Sequence, residues 1–357
     1  MEGTRPLRAA IIGCGRMGGT IDDEVAQDSG VLLPYGHAPA YLAAAGVELA
    51  AAVDVDAARL QAFADRFHIA GRYADHRAML REVRPDIVSV TTRAVGRAAV
   101  VLELIAAGVP AVYCEKALAC SLAEADALAE ACRRSGAAFN IGTSRRYDPG
   151  YRTARERIAA GGIGQPRLVV AYAPGELLHT HSHTVDTILY LLGDPPVEEV
   201  QGEVGGADAG APDRRLPADP PVRWAQIRCA GGARGVILPA PGRYEFEVVG
   251  TAGAILAYNN GRAATWALRL PAAEPPAGGR AVWEMVPFPQ HDRSMSATLR
   301  AVTELAEAVR SGAPTSGGIE VALRQTEVCV AIAESHLQGG RPVRLPLAAR
   351  DLYIPSR

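Results

Sequence analysis

The sequence has no excess of charge of either sign and no block of clustered Lys and Arg residues. Its formal net charge is -2 at pH 7, so it lacks the basic footprint of nucleic-acid-binding proteins. No apolar run approaches the roughly 20 residues that a membrane span needs. We therefore expect neither a nucleic-acid partner nor a membrane.

Cysteine is also scarce, and none of the six cysteines forms a CxxC pair. In a chain of 357 residues, such thinly spread cysteines indicate free thiols in a reducing compartment. The N-terminal residues lead directly into an apolar segment, without the pattern of a signal peptide. These features predict a cytoplasmic protein.

The first part of the chain alternates short apolar segments with helical patterns, and its length predicts two domains. For residues 1–143 this alternation predicts an α/β domain, a doubly wound parallel sheet with helices on both faces. The predicted strands are Leu7–Ile12, Val47–Val53, Ile87–Val90, Ala111–Cys114 and Ala137–Ile141.

Residues 144–357 have a different rhythm, in which strands follow one another through Gly, Pro and Asn turns. This predicts a C-terminal α/β domain with a large open, mostly antiparallel sheet. Its predicted strands are Leu168–Ala173, Val222–Cys229, Arg234–Leu238, Tyr244–Gly250 and Ala254–Asn259. Exposed loops are expected at Gly202–Pro221 and Pro271–Arg280, and closing helices at Ser296–Arg310 and Ile319–Gln338.

A glycine-rich hexapeptide follows the first predicted strand and opens a helical segment, as dinucleotide-binding fingerprints do. Gly13 permits the tight turn, Gly15 lets the backbone approach a pyrophosphate, and Gly18 permits close helix–strand packing. The helix start then offers unpaired N–H groups to the phosphates. The predicted cofactor-binding residues of this loop are Gly13, Gly15, Arg16, Met17 and Gly18.

An acidic residue, Asp54, ends the second predicted strand and is placed to bind the adenosine ribose hydroxyls. A carboxylate there repels a 2′-phosphate, so NAD is favoured over NADP; Arg59 would weaken that preference unless it faces solvent. Asp54 follows Gly13 by 41 residues, against about 20 in the usual unit. The excess, residues 20–35, is either an extension overhanging the cofactor or a surface insertion.

Together with these features, five further segments make the chain resemble the Gfo/Idh/MocA oxidoreductase family over nearly its full length. The segments are residues 37–56, 114–131, 145–167 and 177–195 and the C-terminal EVALRQTEVCVAIAESHLQGGRPVRL. The resemblance implies an N-terminal Rossmann domain that binds NAD, followed by a C-terminal α/β domain with an open sheet.

Glu115-Lys116 aligns with the Glu-Lys-Pro motif of that family, although this chain has Ala117 in place of proline. The resemblance implies that Lys116 contacts the reacting substrate oxygen and that Glu115 lies near the nicotinamide ribose. An ammonium group beside an alcohol stabilises the developing alkoxide and so assists hydride departure. The alternative is a solvated lysine at a helix start.

His183 and Asp186 match a His-x-x-Asp motif whose spacing puts both side chains on one helix face. The resemblance implies that His183 accepts the hydroxyl proton, while Asp186 orients it or binds substrate; the alternative is a core histidine. The family usually has Asp and Gly where this chain has His179 and His181. His179 either replaces that carboxylate in proton relay or reads another substrate group.

The three alternating histidines would share one face of an extended strand, which raises zinc binding as an alternative. No carboxylate or cysteine partner can be assigned to them, so we predict no metal.

The segment Thr91-Thr92-Arg93-Ala94-Val95-Gly96-Arg97 lies, by resemblance, beside the nicotinamide, in a stretch where family members commonly read Thr-Pro-Asn-x-x-His. Here Arg93 and Arg97 replace the Pro and the His, and Arg145-Arg146 occupies another substrate-contact stretch. Converging arginines would suit an anionic substrate such as a sugar acid. The alternative is that Arg97 faces solvent and Arg145 pairs with Asp148.

These signals together predict an NAD(P)-dependent oxidoreductase that moves a hydride between nicotinamide and a secondary hydroxyl of a sugar, cyclitol or derivative. One alternative is an enzyme with tightly bound NAD that performs redox-assisted elimination or glycoside cleavage. Another is a non-catalytic dinucleotide-binding regulator. The resemblance also implies a homodimer or homotetramer.

Overall fold

The chain forms two compact units, seen in a computed structural model that describes residues 5–206, 211–262, 265–272 and 282–357. The first unit comprises Met1–Tyr147, Arg293–Arg324 and Ser356–Arg357, and the second comprises Asp148–Asp292 and Gln325–Pro355. The sequence prediction assigned every residue after 143 to the second domain. Contacts instead group a later segment, 293–324, with the first unit.

The first unit contains a six-stranded, wholly parallel sheet. The parallel sheet was predicted together with five of these strands, but β3 was not. Its strands are β1 (Leu7–Ile12), β2 (Val47–Val53), β3 (Gly71–Tyr73), β4 (Ile87–Val90), β5 (Ala111–Cys114) and β6 (Ala138–Ile141). The spatial order is β3-β2-β1-β4-β5-β6, which is the doubly wound order of dinucleotide-binding folds. The strand order reverses between β1 and β4, where such folds bind ligands.

Helices cover both faces of this sheet, because its strands are apolar on both sides. The helices of the unit are α1 (Ile21–Val25), α2 (His37–Ala43), α3 (Ala57–Arg66), α4 (His76–Val83), α5 (Arg97–Ala106), α6 (Leu122–Ser135) and α9 (Ala297–Ser311). One core joins the sheet to α4, α5 and α6, and the other joins it to α2, α3 and α9.

Local signals in the sequence set the ends of α6. Ser121 Oγ accepts a hydrogen bond from the Glu124 N–H at 3.2 Å, as the predicted capping box requires. The Glu124 carboxylate reaches back to the N–H of Cys120 at 2.8 Å, one residue before the cap. Gly136, at φ 73°, ends the helix in the left-handed conformation that glycine adopts readily.

The second unit is built on a nine-stranded sheet, and the predicted open, mostly antiparallel sheet is confirmed. Its strands are β7 (Pro166–Tyr172), β8 (Val197–Val204), β9 (Val222–Cys229), β10 (Arg234–Leu238), β11 (Glu245–Gly250), β12 (Ala254–Ala257), β13 (Trp266–Pro271), β14 (Trp283–Pro287) and β15 (Val343–Arg344). The order is β14-β13-β12-β11-β7-β10-β9-β8-β15, and among these described strands only β7 and β10 pair in parallel.

The helices of this unit include α7 (Pro149–Ala159) and α8 (His181–Leu192), and α10 (Ile319–Leu337) enters it at Gln325. The loop predicted at Gly202–Pro221 begins too early, because β8 continues to Val204. The loop predicted at Pro271–Arg280 lies outside the described residues from position 273 onward. No helix in the described ranges is both long and apolar enough to cross a membrane.

Candidate active site

The glycine loop makes the tight turn that its sequence predicts, at the carboxyl end of β1. Gly13 has a φ of +103°, and a Cβ there would lie 2.9 Å from the Thr91 hydroxyl oxygen. That hydroxyl donates to the Gly13 carbonyl oxygen at 2.5 Å. Thr91 therefore closes the turn from the end of β4, at the point where the strand order reverses.

Gly15 and Gly18 have different surroundings in this turn. A Cβ at Gly18 would lie 2.6 Å from the carbonyl oxygen of Gly13, so the fold itself requires glycine there. A Cβ at Gly15 would meet no protein atom within 4 Å. Internal packing therefore does not require glycine at 15, and the open space beside its backbone leaves room for a pyrophosphate. The following residues, Arg16–Thr20, form a short π-helix before α1.

Asp54 joins the end of β2 to the glycine loop. Its carboxylate accepts the N–H of Cys14 at 2.8 Å and the N–H of Asp56 at 2.9 Å, and the residue is 7% exposed. Arg59, on α3, also reaches Asp54, with Nη1 at 3.3 Å from Oδ1, while its side chain stays half exposed. An acidic acceptor and a basic group therefore lie together where an adenosine ribose binds in such folds.

The extra residues 20–35 are fastened to their own unit at several points. The Asp22 carboxylate accepts the N–H groups of Tyr35 and Gly36, at 3.0 and 2.5 Å. Asp23 pairs with Arg66 of α3 at 2.6 Å. From α9, Thr298 donates to the Tyr35 carbonyl oxygen at 2.7 Å. Glu24, on α1, pairs with Arg16 of the glycine loop at 2.7 Å.

Glu115, which follows β5, is 5% exposed and belongs to a buried polar network. His37 Nε2 lies 3.1 Å from Glu115 Oε1, and His37 Nδ1 lies 2.9 Å from Ser89 Oγ. Burial raises the pKa of Glu115, but the hydrogen bond and charge of His37, with the charges of Lys116 and Arg97, outweigh it. The resulting pKa lies below the ordinary 4.5, so Glu115 stays ionised at neutral pH.

Lys116 is the only lysine in the chain; all 36 other members of the Lys and Arg set are arginines. It is partly buried, and it stands just beyond the carboxyl end of β5. Its peptide bond to Ala117 is cis. The sequence analysis identified Lys116 from the Glu-Lys-Pro motif. A count of lysines would have identified the same residue independently. A chain that uses arginine everywhere else keeps a primary ammonium here.

Arg97 neither faces solvent nor extends toward a substrate, although both possibilities were considered from the sequence. It is 2% exposed at the start of α5. Its Nη1 donates to the Glu115 carbonyl oxygen at 2.6 Å and also to that of Ala117, while Nη2 donates to the Thr92 carbonyl oxygen. The guanidinium therefore bridges the carboxyl ends of β4 and β5.

The other three arginines of the predicted anion-binding set differ in exposure. Arg93 is exposed, Arg145 is partly buried and Arg146 is 3% exposed; the last two lie in a short 3₁₀ turn, Ser144–Arg146. Because the Arg97 guanidinium is bound to carbonyl groups, fewer arginines are available for an anionic substrate than the sequence predicted.

In the second unit, His183 and Asp186 lie one turn apart at the start of α8. Asp186 is 1% exposed, and His183 is partly buried. His179 precedes the helix, and its backbone N–H donates to the Asp219 carboxylate at 2.8 Å. Asp219 also accepts the N–H of Leu178 at 2.8 Å. Sequence reasoning missed Asp219, which fixes the segment before α8 from 40 residues away.

The three alternating histidines do not share the face of a strand, because α8 begins at His181. His181 is fully buried, and burial lowers its pKa to about 4, against the opposing effects of the Gly175 backbone and Glu176. It is a neutral core histidine at physiological pH. Among the described residues no three His, Cys, Asp or Glu side chains are grouped to hold a metal ion.

The cysteines offer no nucleophile. All six are free thiols and all are buried. Burial raises the pKa of Cys14, in the glycine loop, to about 12, and that of Cys114 to about 12 as well. Both are protonated at neutral pH, and the thiolate is the reactive form.

Comparison with known proteins agrees with this arrangement. Residues 7–143 match the Gfo/Idh/MocA family model, described as an oxidoreductase family with an NAD-binding Rossmann fold. An inositol 2-dehydrogenase from Acidothermus cellulolyticus is 31% identical over 63% of this chain and 65% of its own length. A D-glucoside 3-dehydrogenase from Escherichia coli is 28% identical over 55% of this chain and 56% of its own. The chain thus spans about half to two thirds of these curated relatives.

Solved structures extend the likeness to the whole fold. A levoglucosan dehydrogenase in complex with NADH and levoglucosan has a TM-score of 0.75 at 20% identity, over 96% of this chain and 100% of that one. An aldose-aldose oxidoreductase from Caulobacter crescentus has a TM-score of 0.75 at 21% identity, over 96% and 100%. At these identities the likeness concerns the fold. The resemblance inferred from the sequence motifs is confirmed.

Proposed function

We propose that this chain is a nicotinamide-dependent dehydrogenase of the Gfo/Idh/MocA oxidoreductase family, whose model matches residues 7–143. It would move a hydride between the cofactor and a secondary hydroxyl of a sugar, a cyclitol or a derivative. The observation that carries the proposal is the single lysine, Lys116, beyond the end of β5 in a unit whose glycine turn fits a dinucleotide. The names of the curated relatives, inositol and glucoside dehydrogenases, support the substrate class.

The proposed role of Lys116 is to stabilise the substrate oxygen as hydride leaves the carbon that bears it. A charged donor aimed at developing alkoxide lowers the barrier more than it aids ground-state binding. Arginine carries the same charge, but it cannot release a proton in proteins and presents a planar fork instead of a compact ammonium. A need for that ammonium explains why lysine persists at this one position.

The remaining roles in the proposal follow the motif. His183 is the group that accepts the hydroxyl proton, since an imidazole titrates near neutral pH. Asp186, one helical turn away, would orient it or bind a substrate hydroxyl. His179 is proposed to relay protons or to bind another substrate group. Arg93 and Arg146 are proposed to bind the substrate, and their charge keeps an acidic sugar among the candidate substrates.

NAD is the proposed cofactor in preference to NADP. Asp54 is held by the N–H groups of Cys14 and Asp56, so it cannot turn away from an arriving 2′-phosphate without losing both hydrogen bonds. Arg59 neutralises part of that carboxylate, which makes the preference moderate rather than absolute. Glu115 and Thr91 are proposed to line the nicotinamide end, together with Lys116.

A homodimer or homotetramer is proposed as the working form. Strands of the nine-stranded sheet carry exposed apolar side chains, including Leu238, Trp283 and Met285, at 40%, 47% and 55% exposure. Apolar side chains on a broad sheet are typical of surfaces that pair with another subunit.

The proposal is tested by measuring NADH and NADPH binding to the purified chain and then screening cyclitols, aldoses, glycosides and sugar acids for NAD reduction. We expect NADH binding and turnover of at least one of these compounds. Lys116→Met should lower kcat by about 100-fold or more while the Kd for NADH changes little. Arg81→Met, an exposed cation on α4, is the matched control. Failure to bind either dinucleotide, or full turnover by Lys116→Met, would refute the proposal.

A further inference from the structure

Arg97 is a cation in an unfavourable place. It is the first residue of α5, and the positive end of a helix dipole repels a positive side chain. It is also 2% exposed, and a buried charge is costly unless its donors are satisfied. Such a residue needs strong compensation from its surroundings.

That compensation comes from three carbonyl oxygens, those of Thr92, Glu115 and Ala117. Two of the three flank Lys116 in the chain, and both are bound by the same guanidinium nitrogen, Nη1. The third lies beyond the end of β4, the strand that pairs with β5. Only a planar fork with several donors spans such a set.

The backbone on either side of Lys116 is therefore fixed from two directions. Arg97 holds the carbonyl groups of Glu115 and Ala117, and the Glu115 side chain is itself held by His37 at 3.1 Å. A Cβ at Gly142 would lie 2.6 Å from Glu115 Oε1, so that carboxylate is closely packed as well.

We propose that Arg97 is a positioning residue for Lys116, which orients the ammonium by tying the carbonyl groups of residues 115 and 117 to the end of β4. This inference rests on the proposed function of Lys116. Its guanidinium is bound to main-chain carbonyl groups, so Arg97 would act through the peptide groups that carry the lysine. In this chain it performs a task that a proline at position 117 would perform covalently, because proline fixes its own φ.

The single lysine permits a direct measurement that needs no turnover. Reductive methylation with ¹³C-formaldehyde labels only Lys116 and the N-terminal amine, and it keeps the lysine charge. In the otherwise unaltered chain, the Lys116 methyl resonance should be broadened and displaced from that of free dimethyl-lysine. In Arg97→Gln it should move to the free position and sharpen. An unchanged resonance in Arg97→Gln would overturn the inference.

Turnover of a substrate identified by the screen gives the second readout. Arg97→Gln should lower kcat by about 10- to 100-fold, as a displacement near 1 Å can, with little change in the Kd for NADH. Adding Ala117→Pro to Arg97→Gln should recover a large part of the loss, whereas Ala117→Pro alone should have little effect. Equal losses with and without the proline would overturn the inference.

The outcomes separate the two proposals. If Lys116→Met keeps full activity while the Arg97→Gln resonance moves as expected, the proposed function fails and the positioning role stands. If Lys116→Met is inactive and the resonance of Arg97→Gln does not move, the proposed function stands and the positioning role of Arg97 fails. If Arg97→Gln fails to fold and Ala117→Pro does not restore folding, Arg97 serves the fold as a whole and the inference is wrong.

Discussion

Nε2 of His37 lies 3.1 Å from Oε1 of Glu115, and both side chains are almost completely buried. His37 opens α2 and Glu115 follows β5, so the pair connects elements 78 residues apart. The His37 ring also packs against Tyr113, with the ring centroids 4.2 Å apart and the ring planes tilted by 31°. The residue just before Lys116 is thus anchored by a contact that no local sequence pattern reveals.

This pair should make the protein sensitive to acid. The pKa of Glu115 is below its ordinary 4.5 in the folded state, so the ionised form stabilises the fold above about pH 4.5. That contribution is lost as pH falls through the folded pKa. In urea titrations from pH 7 to pH 3, Glu115→Gln should be less stable at pH 7 and have a shallower loss toward pH 3. Parallel curves would contradict this.

The two glycines of the loop should separate folding from cofactor binding. Gly18→Ala forces a Cβ to within 2.6 Å of the Gly13 carbonyl oxygen, so we expect it to lower stability by about 1–3 kcal/mol. Gly15→Ala meets no protein atom and should leave the melting temperature within about 2 °C, while raising the Kd for NADH by tenfold or more. Calorimetry and NADH fluorescence measure the two effects. Equal losses of stability would show that this division is wrong.

Cofactor choice should respond to Asp54. Asp54→Ser removes the carboxylate and releases Arg59, whose Nη1 lies 3.3 Å from it, to meet a 2′-phosphate. A charge-assisted hydrogen bond contributes roughly 1.5–3 kcal/mol, so the ratio of NADH to NADPH affinity should fall by about tenfold or more. Asp56→Ser is the matched control, because it removes the other acidic partner of Arg59 and keeps a capping side chain on α3. The same ratio in both variants would contradict the role of Asp54.

His181 should contribute a second, distinct dependence on pH. Burial lowers its pKa from 6.5 to about 4, so the folded state favours the neutral ring and the unfolded state takes up a proton first. The contribution of the neutral His181 ring to the free energy of unfolding is fully present above pH 6.5. It falls by about 3 kcal/mol between pH 6.5 and pH 4. Denaturant unfolding of His181→Gln should lose this slope. A slope unchanged in that window would show that another group is responsible.

The sequence predicted the elements whose signals are local. The bounds of β1, β2, β4 and β5 were predicted correctly, because each is a short apolar run ended by Gly, Asp or a turn. β3, of three residues, is too short for any alternation to reveal. β13 and β14 pair at the edge of their sheet, and their exposed, mixed side chains lack the apolar pattern of a core strand.

The site was predicted as motifs but not as contacts. The motifs identified Lys116 and His183 as candidates, and their roles stay predictions. The destination of the Arg97 side chain was not predictable, because it depends on carbonyl groups about 20 residues further along the chain. The same holds for Asp219, whose carboxylate serves the N–H groups of residues 178 and 179. Sequence spacing constrains helix faces and strand edges, whereas such distant pairs follow only from the assembled sheet.

The placement of α9 has a consequence for the order of events on the ribosome. Its residues Ala301, Val302, Leu305 and Ala306 complete one of the two cores of the first unit, yet they follow Tyr147 by roughly 160 residues. At about 5–20 residues per second, synthesis of the intervening residues takes on the order of ten to thirty seconds. During that time the first 147 residues of the nascent chain lack α9. During that interval the apolar surface of α2 and β5 that α9 covers in the folded unit stays exposed.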